Sequence, residues 1–353
     1  MSDLPEPLTI GAIRKRPAMY VGDTGDGSGI LHMVLEVVAN AFDQYLAGRC
    51  TRITIGIEAD DTLTVEDDGP GIPAEGRDRL PGLENLFEER SEQPTVDGHR
   101  PHVHLGLGAI GLAVVNALSE RFEVTTVCGG QQAVAVYARG DPVGPLVVGR
   151  VDGPSGTRVR FRPDPTIFAT TRVPRVELAR ELEDLSFLAP GLTLSWSVAG
   201  DRSTQSGLAA RVASRAGRLL GGVAHHRGSY ETPSGPIDVE VALGWRDGDP
   251  RWLGAAVIDS FVNLARTREH GQHVIGLRDG VRAFLPKVTR RTDGLFAAVA
   301  VMLSDVKYGK PSRDRLDTTA ARPAVAAATR VALAEWAEAW PDAAAALRRR
   351  GAR

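Results

Sequence analysis

Between Ile30 and Asp67 the hydrophobic period of the chain changes from that of a helix to that of a strand, and this change constrains the fold most. In ILHMVLEVVANAFDQYLA, residues 30–47, Leu31, Val34, Leu35, Val38, Phe42 and Tyr45 recur at three- and four-residue spacing. That spacing predicts a helix with one apolar face. Gly48 is placed to stop it, because glycine accepts the left-handed conformation in which helices commonly end. RITIGIEA then alternates Ile53, Ile55 and Ile57 as a half-buried strand does, and DTLTVEDD is its expected hairpin partner. An amphipathic helix followed at once by a half-buried hairpin has two apolar faces to cover, which points to helices layered on a sheet.

The pattern continues downstream. FEVTTVCGG, QQAVAVYA and TRVRFRP read as strands, and LGLGAIGLAVVNALS, residues 105–119, as a glycine-rich loop running into a helix. Residues 74–104 are polar, proline- and charge-rich, and read as a mobile segment with a short helical piece near LENLFEER. A break is expected around residues 190–208. Beyond it PIDVEVALGW, RWLGAAVIDSF and FAAVAVMLSD are strand-like, and the alanine-rich tail, residues 319–347, is helical. The expected fold class is α+β, in two domains spanning 1–200 and 201–353, a division that suits 353 residues.

Composition removes several classes. With 42% hydrophobic and 24% charged residues and a net charge of −2, the chain is not a basic nucleic-acid-binding domain taken whole. Basic residues do cluster locally, at Lys287, Arg290 and Arg291, at Lys307, Lys310, Arg313 and Arg315, and at Arg348 to Arg350. Cys50 and Cys128 are the only cysteines, which excludes a disulfide framework and a cysteine-rich metal site. The N-terminal stretch has no apolar h-region and no run reaches bilayer length, so a cytoplasmic protein without membrane contact is expected. His225 and His226 read as a surface loop, and Trp245, Trp252, Trp336 and Trp340 as packing residues.

Three groups of residues carry chemistry. Glu36, Asn40 and Asp43 fall on the helix side opposite the apolar stripe, with Glu36 and Asn40 one turn apart. Three polar residues there also suit a plain solvated face. A glutamate can take a proton from water as general base, and an asparagine oxygen can ligate Mg²⁺, which prefers hard oxygen donors. Asp67 closes the second strand and precedes GPGIP. A carboxylate there can accept a hydrogen bond from an exocyclic amine such as that of adenine, while Gly69 and Gly71 let the backbone bend and pack close to a flat base. The same residues also suit ordinary turn chemistry. Gly106, Gly108 and Gly111 open a helix, and backbone N–H groups at a helix start can hold phosphate oxygens.

In this order, the asparagine on its helix, the DDGPGIP box and the glycine-rich segment resemble the GHKL ATPases, and the wording resembles most closely that of gyrase B and its topoisomerase IV counterpart. IRKRPAMYVGDT, EVVANAFDQYLAG, AVVNALSERFEV and LSFLAPG carry the likeness in the first domain, and VEVALGW, TREHGQHVIGL and KYGKPSRDRLD extend it into a stretch similar to that family's transducer. The resemblance implies a GHKL (Bergerat) sandwich of helices on a mixed sheet, then a transducer domain of the ribosomal-protein-S5-like type. It implies ATP and Mg²⁺ as ligands. By the same likeness Glu36 is the general base and Asn40 the Mg²⁺ ligand, and Asp43 stands in the same helix motif. Asp67 reads adenine, Gly71, Ile72 and Pro73 wall its pocket, and Thr157 supports the adenine side. Gly106, Leu107, Gly108, Ala109, Ile110 and Gly111 cover the phosphates. Arg313 occupies the place of the transducer lysine that reaches the γ-phosphate.

The departures from the family pattern are specific. The lid reads LGLGAIG where the family has GGLHGVG, Pro70 and Cys128 stand where the family has pocket arginines, and Arg313 replaces a lysine, which keeps charge but changes reach. The stretch resembling the transducer closes the sequence, so the resemblance implies no DNA-cleavage domain here, no strand passage by this chain alone and no gyrase A-like partner. The expected function is a gyrase-B-like Mg²⁺-dependent ATPase that forms a homodimer as a nucleotide-gated clamp, with DNA as the partner the family suggests. The alternative is a stand-alone relative that binds nucleotide with slow or no hydrolysis, or that passes phosphate to a small molecule.

Overall fold

The computed structural model describes residues 9–76, 82–83, 111–198, 201–204, 207–248, 253–286, 288, 292–310 and 313–350. The chain divides into two compact units, Met1–Ser186 with Gly191–Gln205, and Phe187–Pro190 with Ser206–Arg353.

The first unit runs α1 (Ile10–Lys15), α2 (Ala18–Val21), α3 (Ser28–Leu46), β1 (Arg52–Ile57), β2 (Leu63–Asp67), α4 (Gly111–Ala117), β3 (Ser119–Cys128), β4 (Gln131–Ala138), β5 (Asp141–Pro142), β6 (Val147–Arg150), β7 (Gly156–Pro163), α5 (Arg175–Leu188, its end in the second unit), β8 (Thr193–Ser197) and β9 (Asp201–Thr204). The strands form one mixed sheet in the order β5-β4-β3-β7-β2-β1-β8-β9, with β6 also beside β4. The expected hairpin is present, with β1 antiparallel to β2 and Ile53 opposite Asp67. Its other neighbour, β8, runs parallel to β1. The stretch expected to hold a break, 190–208, therefore contributes two strands to this sheet.

Strand alternation separates the two faces. Ile53, Ile55, Leu63, Val65, Phe122, Val124, Val159 and Phe161 are buried, and α3 packs over β1 and β2 while α4 packs over β3 and β4. The opposite face carries cross-strand ion pairs, Arg158 to Glu66 at 3.5 Å, Arg160 to Glu58 at 2.6 Å and Arg162 to Glu120 at 3.4 Å.

α3 starts two residues before the expected position and ends as Gly48 foretells. Gly48 has φ +70°, its N–H donates to the Tyr45 carbonyl at 2.8 Å, and Arg49 N–H donates to the Gln44 carbonyl at 2.9 Å. This is a Schellman stop. One of the two readings of this helix falls away. The side of α3 opposite the apolar stripe is not a solvated face, because Glu36 is 7% exposed and Val37, Ala39 and Ala41 are buried beside it. The helix is enclosed on most of its circumference, with Asn40 and Asp43 half-buried.

The second unit contains α6 (Leu208–Ala216), β10 (Ala224–Tyr230), β11 (Ile237–Trp245), β12 (Val257–Val262), β13 (Ala265–Arg266), α7 (Gln272–Phe284), β14 (Leu295–Met302), α8 (Ala321–Ala339) and α9 (Pro341–Arg349). Its sheet has the order β10-β11-β14-β12-β13, and β12 and β14 are parallel, as a crossover through α7 requires. On β11 the odd positions Ile237, Val239, Val241, Leu243 and Trp245 join a core with α7, α8 and α9. Its even position Gly244 abuts Val212 of α6 and Leu219, so the strand is covered on both sides.

Two further expectations change here. His225 and His226 lie in edge strand β10 rather than in a loop, with His225 Nε2 3.0 Å from Glu240 Oε1. The tail is two helices, broken where Trp340 precedes Pro341 at the first position of α9. Trp245 and Trp336 are core residues as expected, Trp340, though 49% exposed, packs against Gly221 and Gly222, and Trp252 lies outside the described residues.

Candidate functional site

The end of β2 builds the first part of the site. Asp67 is opposed by Thr157 on β7, and Thr157 in turn by Thr126 on β3, so three buried polar side chains stand in register across three strands. Oδ1 of Asp67 accepts the N–H of Gly69 at 2.9 Å, which turns the chain sharply after the strand. Burial pushes the Asp67 carboxyl up to about 6, against the backbone N–H groups that favour its ionised form. Its neighbour Asp68 behaves oppositely. Burial would raise it, but the hydroxyl and N–H of Thr51 and the N–H of Arg52 hold it down at about 2.

The GPGIP turn then folds back against β3. Gly71 has φ +75°, and a Cβ there would run into the carbonyl oxygen of Val127. Ile72 N–H donates to Thr126 Oγ1 at 2.7 Å, and that hydroxyl donates to the Gly156 carbonyl at 3.2 Å. A Cβ on Gly156 would collide with the Asp67 carbonyl. The bend, the strand carrying Asp67 and the strand carrying Thr157 are thus tied together without side-chain bulk between them.

The second part of the site lies on α3. Oε2 of buried Glu36 accepts the N–H of Gly111 at 3.2 Å, where Gly111 opens α4 with φ +67°. Asn40 is one helical turn from Glu36 and Asp43 is three residues further, both half-buried. Among the described residues no group of three or more His, Cys, Asp or Glu is arranged to hold a metal. Asn40 offers a neutral side-chain oxygen of the kind that suits a hard cation.

Of the residues singled out from sequence, Asp67, Gly69, Gly71, Ile72, Pro73 and Thr157 come together at one end of the first unit's sheet, and Glu36 comes together with Gly111. Gly106, Leu107, Gly108, Ala109 and Ile110 lie outside the described residues, as does the LENLFEER piece. Arg313 is in the second unit, at φ +58°, with its guanidinium 5.9 Å from the Tyr308 ring centroid. Sequence reasoning missed Thr126 and Gly156. Gly156 had a signal, since PSGT before a strand marks a tight approach. Thr126 had none, being one alternating position among many.

Residues 25–167 match the family described as histidine kinase-, DNA gyrase B-, and HSP90-like ATPase. The chain is 29% identical to the DNA gyrase B protein of Mycolicibacterium smegmatis, over 94% of this chain and 56% of that protein. It is 28% identical to the DNA gyrase B protein of Caulobacter vibrioides, over 96% of this chain and 46% of that protein. It therefore spans about half the length of the curated relatives it matches. Among solved structures, the 43K ATPase domain of Thermus thermophilus gyrase B in complex with an aminocoumarin superposes with a TM-score of 0.79 at 28% identity, covering 98% of this chain and 94% of that one. The gyrase B structure from Myxococcus xanthus gives 0.77 at 24% identity, over 97% and 99% of the two chains, a likeness of fold.

Proposed function

From the homology of this chain, which carries a GHKL ATPase domain, to the ATPase region of gyrase B, we propose that it binds ATP at the Asp67 turn and hydrolyses it with Glu36 as general base. The observation that carries the reading is the buried carboxylate of Asp67, set beside a glycine turn whose backbone leaves no Cβ between it and a flat ligand. Asp67 would accept an N–H of the adenine amino group. Thr157, opposed to it, would hold the polar network behind the base, and Gly71, Ile72 and Pro73 would form the wall.

The phosphates would extend along α3 toward Gly111, covered by residues 106–111. Glu36, enclosed and with its Oε2 steadied by the N–H of Gly111, would orient water and take its proton. Asn40 would supply one oxygen ligand to Mg²⁺, with phosphates and water completing the shell, which suits an ion that usually takes few protein ligands. When bound, Mg²⁺ would neutralise charge on the phosphates. By the resemblance alone, Arg313 is put forward for the γ-phosphate. A homodimer on ATP binding, DNA as a partner and a cytoplasmic setting complete the proposal. No helix among the described residues is long and apolar enough to cross a membrane.

A second reading, slow or absent turnover, draws on the hydrogen bond from Gly111 to Glu36 and on the altered lid. Phosphate release from Mg-ATP by wild type and Glu36→Ala separates the two. The first reading expects turnover in wild type and a loss of roughly 10²–10⁴-fold in the variant with nucleotide binding retained. An unchanged rate in the variant overturns the role of Glu36, and tight binding without phosphate release in wild type favours the second.

A further inference from the structure

Glu36, Asn40 and Gln44 form one i, i+4, i+8 row on α3. At 1.5 Å per residue the row is about 12 Å long. Its first member meets Gly111, at the end assigned above to phosphates. Its last member meets the Asp67 turn. The Cβ and Cγ of Gln44 lie 3.3 and 3.4 Å from the position a Cβ would take on Gly69, whose N–H donates to Asp67. Oε1 of Gln44 is shielded from solvent and accepts no hydrogen bond among the described residues, while the backbone carbonyl of the same residue is used by the Schellman stop. A buried acceptor left unmade is a cost to the fold. Glutamine in place of a leucine or methionine at this point brings that cost without a compensating bond inside the described fold.

We propose that Gln44 is a specificity-determining residue of the nucleotide site, its Oε1 accepting an N–H from the base. The inference rests on the reading of Asp67 given above. The chemistry it selects is a base bearing an exocyclic amino group. Such a group carries two N–H bonds, of which one carboxylate oxygen of Asp67 would take one and the amide oxygen of Gln44 the second. A base with a carbonyl at that position would present oxygen to two acceptors and be rejected.

The test compares binding of ADP and IDP, which differ in an amino group against a carbonyl on the six-membered ring, to wild type, Gln44→Met and Gln44→Glu by calorimetry. Wild type should prefer ADP. Gln44→Met should bind ADP roughly tenfold more weakly and IDP more tightly than wild type does, because one of the two acceptors facing the carbonyl is gone, and its Tm should equal or exceed that of wild type, because an unmade acceptor has been removed. Gln44→Glu, which keeps an acceptor at the same reach, should keep the preference for ADP. A wild-type ADP/IDP ratio in Gln44→Met overturns the inference. So does a fall in Tm that accounts for the lost affinity to both ligands alike. If wild type binds neither ligand, or Asp67→Asn binds ADP as wild type does, the nucleotide reading itself fails, and the inference with it.

Discussion

Asp67 and Thr157 are directly opposed partners across the antiparallel pair β2–β7, and both are buried. Burial is what raises the Asp67 carboxyl to about 6, so this acceptor is ionised at neutral pH but not far below it. If an amino group of the ligand must donate to the carboxylate, affinity for ADP should fall about tenfold per pH unit below pH 6. Asp67→Asn, which does not titrate, should bind weakly and lose that dependence. Calorimetry between pH 7 and 5 on both proteins checks it, and equal slopes would remove Asp67 from the site.

The turn that follows predicts an asymmetry between glycines. Gly71 combines φ +75° with a Cβ position that runs into the Val127 carbonyl, so Gly71→Ala meets both backbone strain and a clash with main chain that cannot swing away. Gly56, on β1, has nothing within 4 Å of its Cβ position. Gly71→Ala should cost about 3 kcal/mol or more, and Gly56→Ala should lie within about 1 kcal/mol of wild type. Urea midpoints of the two variants decide it.

Where period and local chemistry determine an element, the sequence displays it. α3, its Gly48 stop and the β1–β2 hairpin are all short-range features, and their bounds move by only a residue or two. What is hidden is long-range. The parallel seat of β8 beside β1 joins strands separated by more than a hundred residues, and the alternation within LTLSW marks a strand without naming its partner. Burial on the polar side of α3 is hidden for the same reason. Glu36 reads as solvated until α4 is laid over it, because its cover comes from Gly111, 75 residues away. Asp67 was legible as an acceptor from its place at a strand end before two glycines. Thr126, which holds the turn, is defined only by the register that sets it against Thr157.

The buried histidine of the second unit gives a pH dependence of its own. His273 is fully enclosed, its Nε2 3.1 Å from Thr267 Oγ1, and burial, with His270 nearby, lowers it to about 3. A folded value below the unfolded one means that the unfolded chain binds the proton first. Stability from this group is therefore complete above pH 6.5 and is lost as pH falls toward 3, by up to about 1.4 kcal/mol per unit. Asp67 has the reverse sign in the first unit. Its raised value makes the native state the better proton binder, so its contribution grows as pH falls from 6 to 4. Hydrogen exchange corrected for intrinsic rates should thus show β14 losing protection between pH 7 and 5 relative to β7. His273→Gln should reduce the loss in β14, leaving the smaller share that His270, also lowered by burial, contributes with the same sign.

Asp259 gathers three arginines in the second unit. Arg211 Nε donates to its Oδ2 at 2.7 Å, Arg215 Nη1 to the same oxygen at 2.6 Å, and Arg266 Nη1 to Oδ1 at 2.8 Å. Arg211 and Asp259 are both nearly enclosed, at 6% and 9% side-chain exposure. Burial pulls the carboxyl up, but the hydrogen bond from Arg266 and the charge of Arg211 outweigh it and hold it at about 2. Its stabilisation is thus present above pH 4 and lost as pH falls toward 2. Removing the carboxylate leaves Arg211 charged among Phe187 and Phe261, whose rings lie 5.2 and 5.6 Å from its guanidinium carbon. Those ring faces offset only part of the loss, being worth about 1–2 kcal/mol each when desolvated. Asp259→Ala should therefore cost about 3–5 kcal/mol and lower Tm by about 10 °C. Asp259→Asn keeps one acceptor oxygen without the charge and should fall between that variant and wild type. If both variants melt with wild type at pH 7, the three arginines are held by packing rather than by this carboxylate.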